Sequence, residues 1–288
     1  MDGNLISIKS RIKSIDSTLK ITKAMKLVAS VKLKRLKSLF DTNNLYYEQM
    51  KDILYKTLSY YDLKSHKLPD CLKQYDSNKN LYIIVSSTLG LCGSYNFEIF
   101  KKLEDILTKD DELLVIGEKG IMHFKNFENK MYDDFKMLLL NFTYNNVKNM
   151  RHFIFKIYKR NKYKSVKLIY SKYINSLTFK PDIIKILPLE FNLEDYKEKF
   201  EFKPIIEPNV NEVLNKMLPH YVDSLLFNKL LESNVCEYAS RRNAMENATN
   251  NANEITNEFK IKFNKARQAN ITSEIIEVVA GANSSKGE

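Results

Sequence analysis

Apolar residues near the start of the chain recur at alternating steps of four and three. Ile8, Ile12, Ile15 and Leu19 set the stripe, Thr22 and Lys26 interrupt it, and Ala29, Leu33, Leu36 and Phe40 resume it. Heptad-like spacing of this kind predicts a helix with an apolar seam along one side. Ile21, Met25 and Val28 make a second stripe on a different face, so this stretch has surface for more than one partner. Toward the other end, Met245, Ala248, Ala252, Ile255, Phe259, Ala266, Ala269 and Ile276 fall on another three-and-four register, broken by Lys262 and Ser273. Its alanines allow a second helix to approach closely.

Breakers are placed so that both helices can be long. The 288 residues hold 7 Gly and 6 Pro, and none of either falls in residues 5–68 or 220–280. A helix of about sixty residues reaches roughly 90 Å, several times the radius of a compact domain of this size. The economical arrangement is an antiparallel coiled coil of the two terminal helices with a separate domain between them. A helical bundle with bends would show the same stripes. The boundaries expected are 1–68 for the N-terminal helix, 69–209 for the middle domain and 210–288 for the C-terminal helix.

Between the helices the period changes. Leu81 to Ser86 is a short apolar run rich in β-branched residues, followed by a turn at Gly90 and Gly93 and a helical stretch from about Asn96 to Leu107. Leu113 to Ile116 repeats the pattern and ends at Gly117; a helix is expected around Val147 to Arg160, then strands at Val166 to Tyr170 and Ile183 to Leu187. Alternation of strand and helix predicts an α/β domain with a largely parallel sheet. The fold class expected is therefore α/β plus long helices.

Charge and chemistry narrow the function. The formal net charge is +11, and ten Lys or Arg crowd residues 1–40 against Asp2 and Asp16 alone. A field of that sign favours an acidic partner: nucleic acid, an anionic membrane surface or protein carboxylates. No apolar run approaches the roughly 20 residues of a membrane span. Cys71, Cys92 and Cys236 are too scattered for a zinc module or a disulfide framework, which points to a reduced compartment. The turns at Gly90 to Gly93 and Gly117 to Gly120 lack both the dinucleotide and the P-loop patterns, so they read as structural. His66, His123, His152 and His220 show no metal-ligand spacing, and Cys92 reads as a buried small side chain. No catalytic residue, cofactor-binding residue or metal ligand is assigned, and no cofactor is expected. Arg267 and Gln268, in KARQANIT, offer a guanidinium fork for a carboxylate, although a solvated helix arginine has the same sequence.

Taken together, the motifs resemble a known family. IKSRIKSI and KITKAMKLVASVKLKRL, within residues 8–36, are similar to the first helix of the gamma subunit of F-type ATP synthases. LLESNVCEYASRRNAMENATNNANE at 230–254 and FNKARQANITSEIIEVVAGA at 263–282 resemble that family's last helix, and SSTLGLCGSYN at 86–96 its glycine turn. The resemblance implies a coiled-coil shaft with a Rossmann-like domain, acting as the noncatalytic rotor that couples ion-driven rotation of a membrane ring to ATP synthesis in the head. The implied partners are the alpha and beta subunits of the head, an epsilon-type stalk subunit and the membrane c-ring, with no nucleic acid.

Residue by residue, the resemblance makes Met25 a position near the catalytic ring, and Arg267, Gln268 and Thr272 those that catch an acidic loop of a catalytic subunit. Lys9, Arg11, Lys13, Lys20, Lys23 and Lys26 are read as complementary to carboxylates of the head. Thr88 and Leu89 stand where relatives carry an acid and a base before G-L-C-G, so a polar contact made there by relatives is not carried over to this chain. With Met1 only a few residues before the helix, the expected location is peripheral, on the cytoplasmic side of a bacterial inner membrane; the matrix side of the mitochondrial inner membrane is the alternative. The competing function is a basic helical arm on an α/β domain that binds nucleic acid, with steep salt dependence.

Overall fold

A computed structural model describes residues 2–59, 69, 71–191 and 205–284. The chain divides into two compact units, one of residues up to Ala29 with those from Arg242 onward, the other of Ser30–Arg241. Two helices belong to both: α1, Asp2–Ser59, and α5, Val210–Ser284. α5 runs through Pro219, whose ring nitrogen has no proton for the ladder, so one helical hydrogen bond is missing there.

In the first unit the two helices pair antiparallel: Arg11 lies over the Phe259 ring, Thr22 meets Thr249, and Lys26 meets Glu246. On α1 the covered positions are Leu5, Ile8, Ile12, Ile15, Leu19, Thr22, Lys26 and Ala29, so the seam passes straight through the two polar residues that interrupt the apolar stripe. On α5, from Met245 onward, the covered positions are Met245, Glu246, Ala248, Thr249, Ala252, Thr256, Phe259, Phe263, Ala266, Asn270 and Ser273. This corrects the expected register at Ile255, Ala269 and Ile276, while Ala248 stays half-covered beside Thr249. Ile255 is 42% exposed, Ile276 62%, and Ala269 also faces outward. Ser273 lies in the seam rather than breaking it, and Lys262 lies off it. Both registers share Met245, Ala252, Phe259 and Ala266 and differ by one residue at the alternate positions. Threonine methyls fit beside alanine there, and the isoleucines are left on the outer face.

The second unit is built on a five-stranded sheet, β1 Asn80–Val85, β2 Glu112–Ile116, β3 Met131–Tyr132, β4 Ser165–Tyr173 and β5 Phe179–Leu187, in the order β3-β2-β1-β4-β5. The first four neighbours are parallel and β5 is antiparallel to β4. Helices α2 Tyr95–Glu104, α3 Glu118–Phe124 and α4 Tyr144–Asn161 connect them. Strand residues alternate between two cores, as a two-sided sheet requires. Leu81, Ile83 and Val85 join α4 and the Leu214–Leu230 stretch of α5, and Tyr82 and Ile84 join α2 and Cys236. Leu33, with Leu36 and Phe40, packs on Val235 and Ala239. α3 and β3 are too short to have left a periodic signal.

A polar cluster closes one side of the sheet. Tyr163 and Tyr132 donate to Glu112 Oε2 at 2.6 and 2.9 Å, and Lys130 Nζ lies 3.6 Å away. Burial works to raise the Glu112 carboxyl, but the tyrosine hydrogen bonds with the Lys130 and Lys79 charges outweigh it and hold the group below its usual range. Its contribution to stability is thus present above the ordinary carboxyl pKa and lost as pH falls through the depressed folded value. A Tyr163→Phe variant is expected to be less stable than the parent at neutral pH, with the difference shrinking in acid; urea unfolding at several pH values checks this, and a pH-independent difference would refute the linkage.

Candidate partner-contact surfaces

The glycine turn is held from inside. Ser86 Oγ donates to the Ile116 carbonyl at 2.7 Å and accepts from the Gly120 N–H at 2.9 Å, while Asn96 clasps Ser87 through its N–H and hydroxyl at 2.9 and 2.7 Å. Left-handed backbone falls on Leu91 and Gly93, not on Gly90. From α5, Arg241 Nη2 donates to the carbonyls of Leu89 and Gly90 at 3.1 and 3.4 Å and pairs with Glu237 at 2.7 Å. Ser240 Oγ donates to the Cys92 carbonyl at 2.5 Å. Burial pushes the Glu237 carboxyl up, opposed by Arg241. The sequence reading missed Arg241; the only signal was an Arg-Arg pair on a helix face otherwise rich in small residues. Thr88 is partly covered, and its hydroxyl has no hydrogen-bond partner among the described residues. Leu89 and Leu91 are exposed.

Open α/β sheets bind ligands beyond the carboxyl ends of their strands where the order reverses, here between β1 and β4. That crevice is filled by α5. Ser233 Oγ bonds the Tyr95 hydroxyl at 2.8 Å and the Ser171 N–H at 3.0 Å, Glu232 accepts from the Tyr173 N–H at 3.0 Å, and Cys236 Sγ donates to the Ser171 carbonyl. Cys71, Cys92 and Cys236 are all buried; burial raises the Cys92 thiol and takes Cys236 up to about 12. His123 stacks on Phe100 and bonds Glu104, His152 adjoins Arg151, and His220 is exposed, whereas His66 lies outside the described residues. Among the described residues no cluster of His, Cys, Asp or Glu could hold a metal ion, and no helix is long and apolar enough to cross a membrane.

The sharper surface is on the two-helix unit. Lys9, Arg11, Lys13, Lys20 and Lys23 are exposed, and Met25 and Lys26 are half-buried. Of these cations, Lys26 is tied within the chain, to Glu246 at 2.8 Å. Arg267, Gln268 and Thr272 are exposed on successive turns of α5, with the Thr272 hydroxyl bonded to the Gln268 carbonyl at 2.9 Å. Between these polar groups lie bare apolar side chains: Ile21, Leu27 and Val28 on α1, and Ile271, Ile275, Ile276, Val278 and Val279 on α5. Aliphatic surface on this scale, interleaved with cations, is characteristic of a face that another protein covers. The Ile21 and Val28 stripe was legible as a second partner face; the α5 isoleucines were not, because the expected register put Ile276 in the seam.

Comparison with known proteins supplies the rest. A family model described as ATP synthase matches residues 4–284. The ATP synthase gamma chain of Mycoplasma mobile is 38% identical over 284 residues, covering 97% of this chain and 98% of the relative. That of Malacoplasma penetrans is 38% identical over 295 residues, covering 99% and 100%. Among solved structures, a chain of the Tetrahymena thermophila mitochondrial ATP synthase central stalk and c-ring is 25% identical, with 79% of this chain and 99% of that one covered and a TM-score of 0.55. A chain of the Euglena gracilis mitochondrial ATP synthase, from its OSCP, F1 and c-ring assembly, covers 99% of this chain and 95% of its own length with a TM-score of 0.68. At 16% identity the second likeness bears on the fold. None of these relatives is described as a nucleic-acid-binding protein, so the basic-arm reading gains no support.

Proposed function

Because the chain belongs to the ATP synthase gamma-chain family and is a central-stalk subunit of that rotary complex, we propose that its two-helix unit works directly against the alpha and beta subunits of the head. The observation that carries this reading is the exposed face of cations and aliphatic side chains on α1 and α5. As the stalk turns, that face presents different contacts to each catalytic subunit in turn. Only contacts that differ between the open and closed states of a site can bias it. Arg267, Gln268 and Thr272 are the residues assigned to catch a carboxylate-bearing loop of a catalytic subunit, with Met25 on the facing helix; Lys9, Arg11, Lys13, Lys20 and Lys23 supply longer-range attraction.

In the same reading residues 69–209 form the part that meets an epsilon-type subunit and the c-ring, and α1 and α5 are the rotor helices; the expected boundary at residue 68 lies outside the described residues. The complex is membrane-associated; the chain itself is peripheral, on the cytoplasmic side of a bacterial plasma membrane. It performs no covalent chemistry of its own, and the crevice where an α/β sheet binds ligand is occupied by Ser233, Cys236 and their neighbours on α5.

Affinity isolation of the tagged chain from gently solubilised membranes tests the assignment. Recovery with nucleotide-binding head subunits, an epsilon-type subunit and a membrane ring is expected; recovery alone, from cells with an intact synthase lacking the chain, would sink it. At finer grain, Arg267→Ala with Gln268→Ala is expected to lower ATP synthesis about tenfold, the loss of a charge-assisted hydrogen bond, while leaving assembly intact. Unchanged synthesis by a fully assembled double variant would remove the two residues from the moving contact.

A further inference from the structure

Lys26 differs from Lys9, Lys13, Lys20 and Lys23, the other lysines that α1 contributes to the first unit. Its Nζ sits 2.8 Å from Glu246 Oε1, with both side chains about two-fifths exposed (38% and 44%). Among the described residues Lys9, Lys13, Lys20 and Lys23 have no ion-pair partner and are more open to solvent. The Lys26 hydrogen bond and charge, with the charge of Arg242, hold the Glu246 carboxyl below its usual range. An ammonium already bonded to a carboxylate presents a near-neutral pair to any third group, so Lys26 is a poor candidate for attracting acidic groups on the head.

One turn away lies a buried counterpart. Thr22 and Thr249 are both buried in the seam. The Thr249 hydroxyl is shared between Thr22 Oγ1 at 3.0 Å and its own helix's Met245 carbonyl at 2.7 Å, and Thr22 donates back to the Leu19 carbonyl at 3.1 Å. Their small neighbours Ala29 and Ala252 are buried in the same seam, so little bulk there resists one helix rolling on the other. A hydrogen bond and an ion pair, four residues apart on α1 and three on α5, fix both the height and the azimuth of one helix against the other. A half-exposed ion pair contributes little stability; its directional contribution is what distinguishes it, as with single polar residues that specify the register of a coiled coil.

We infer that Lys26 and Glu246, together with the Thr22–Thr249 hydrogen bond, are positioning residues: a clamp between α1 and α5 that holds the Met25-bearing face in one orientation while torque passes through the helix pair. The inference rests on the central-stalk reading and assigns Lys26 an internal role in place of a contact with the head.

Charge exchange in the assembled synthase separates the two roles. In inverted membrane vesicles, Lys26→Glu sets two carboxylates against each other and is expected to lower proton pumping per ATP hydrolysed by about two- to fivefold, the size of an exposed ion-pair effect, with unchanged thermal inactivation of the complex. Lys26→Glu combined with Glu246→Lys restores the ratio, and Lys26→Arg retains it. A double variant that pumps as poorly as Lys26→Glu alone would overturn the clamp, as would normal pumping by Lys26→Glu. The content of this chain in each vesicle preparation is measured alongside. A synthase that pumps normally without the chain would end the central-stalk reading itself, an outcome distinct from failure of the clamp.

Discussion

Replacing Asp223 by alanine is expected to destabilise the full-length chain by about 3–5 kcal/mol, the cost of leaving a buried charge without its partner. Asp223 is fully buried on α5 and takes a two-pronged contact from Arg151 on α4, Nε to Oδ1 at 2.9 Å and Nη2 to Oδ2 at 3.2 Å. The guanidinium also lies over the Phe155 ring, 5.4 Å from its centre, on the edge of the larger core. Once the carboxylate is gone, the buried guanidinium keeps a polar neighbour in His152 Nδ1, 3.3 Å from Nη1, but no counter-charge. Arg151→Met together with Asp223→Leu removes both charges and keeps most of the volume, so this double variant is expected to recover most of the loss. Lys109 and Glu128 make an ion pair of comparable length, 3.2 Å, with side chains 87% and 76% exposed; Glu128→Ala is expected to change stability by less than about 1 kcal/mol. Urea unfolding of the four proteins checks the ordering. Equal losses at Asp223 and Glu128 would mean that the interior tolerates the lone guanidinium, and the argument from desolvation would fail.

Neither Arg151 nor Asp223 stood out in the sequence, because a buried ion pair joins residues 72 positions apart and leaves no local pattern. What was legible is whatever repeats locally. The α1 seam from Ile8 to Phe40 and the strands at β1, β2 and β4 follow from a period of three-and-a-half or from short β-branched runs, and they stand where expected. Failures came where two readings share a period. On α5 beyond Thr249 a seam through Ile255 and Ala269 and one through Thr256 and Asn270 are offset by one residue, and hydrophobicity alone chooses the former. The structure chooses the latter, since Thr249 has a hydrogen-bond partner in Thr22 and the isoleucines face outward. Exposed isoleucines on a seam-forming helix are a signature of a second interface, which the fold of an isolated chain gives no reason to keep. β5 was read as a strand at Ile183 to Leu187; that it begins at Phe179 and runs antiparallel depends on its tight connection to β4, where Asn175 Oδ1 accepts from the Leu177 and Thr178 N–H groups, a turn with neither glycine nor proline to mark it.

Gly117 and Gly90 looked alike in the sequence, each a glycine in a turn after a strand, and they are expected to respond very differently to alanine. Gly117 has φ of +95°, and a Cβ built there would stand 2.1 Å from the Ser86 carbonyl oxygen and 2.6 Å from its carbon. That carbonyl belongs to a fixed stretch of backbone. The Ser86 N–H donates to the Ile116 carbonyl at 2.8 Å, the Gly117 N–H donates to the Lys136 carbonyl at 3.0 Å, and the Ser87 carbonyl accepts from the Lys119 N–H at 3.1 Å. Relief of the overlap must therefore break the junction of β1 and β2 beside the glycine turn. Backbone strain and overpacking each cost roughly 1–3 kcal/mol, so Gly117→Ala is expected to lose about 2–6 kcal/mol. At Gly90 the nearest atom to an added Cβ is Lys119 Cε at 3.6 Å, the end of a flexible side chain, and φ lies outside the left-handed range. Gly90→Ala is expected to be neutral or to gain up to about 1 kcal/mol, because the unfolded chain loses freedom that the folded turn never used. Denaturant midpoints of the two single variants decide the matter: similar losses at both positions would mean that the turn requires glycine for a reason other than the Ser86 carbonyl, and a neutral Gly117→Ala would show that the β1–β2 junction can open without cost.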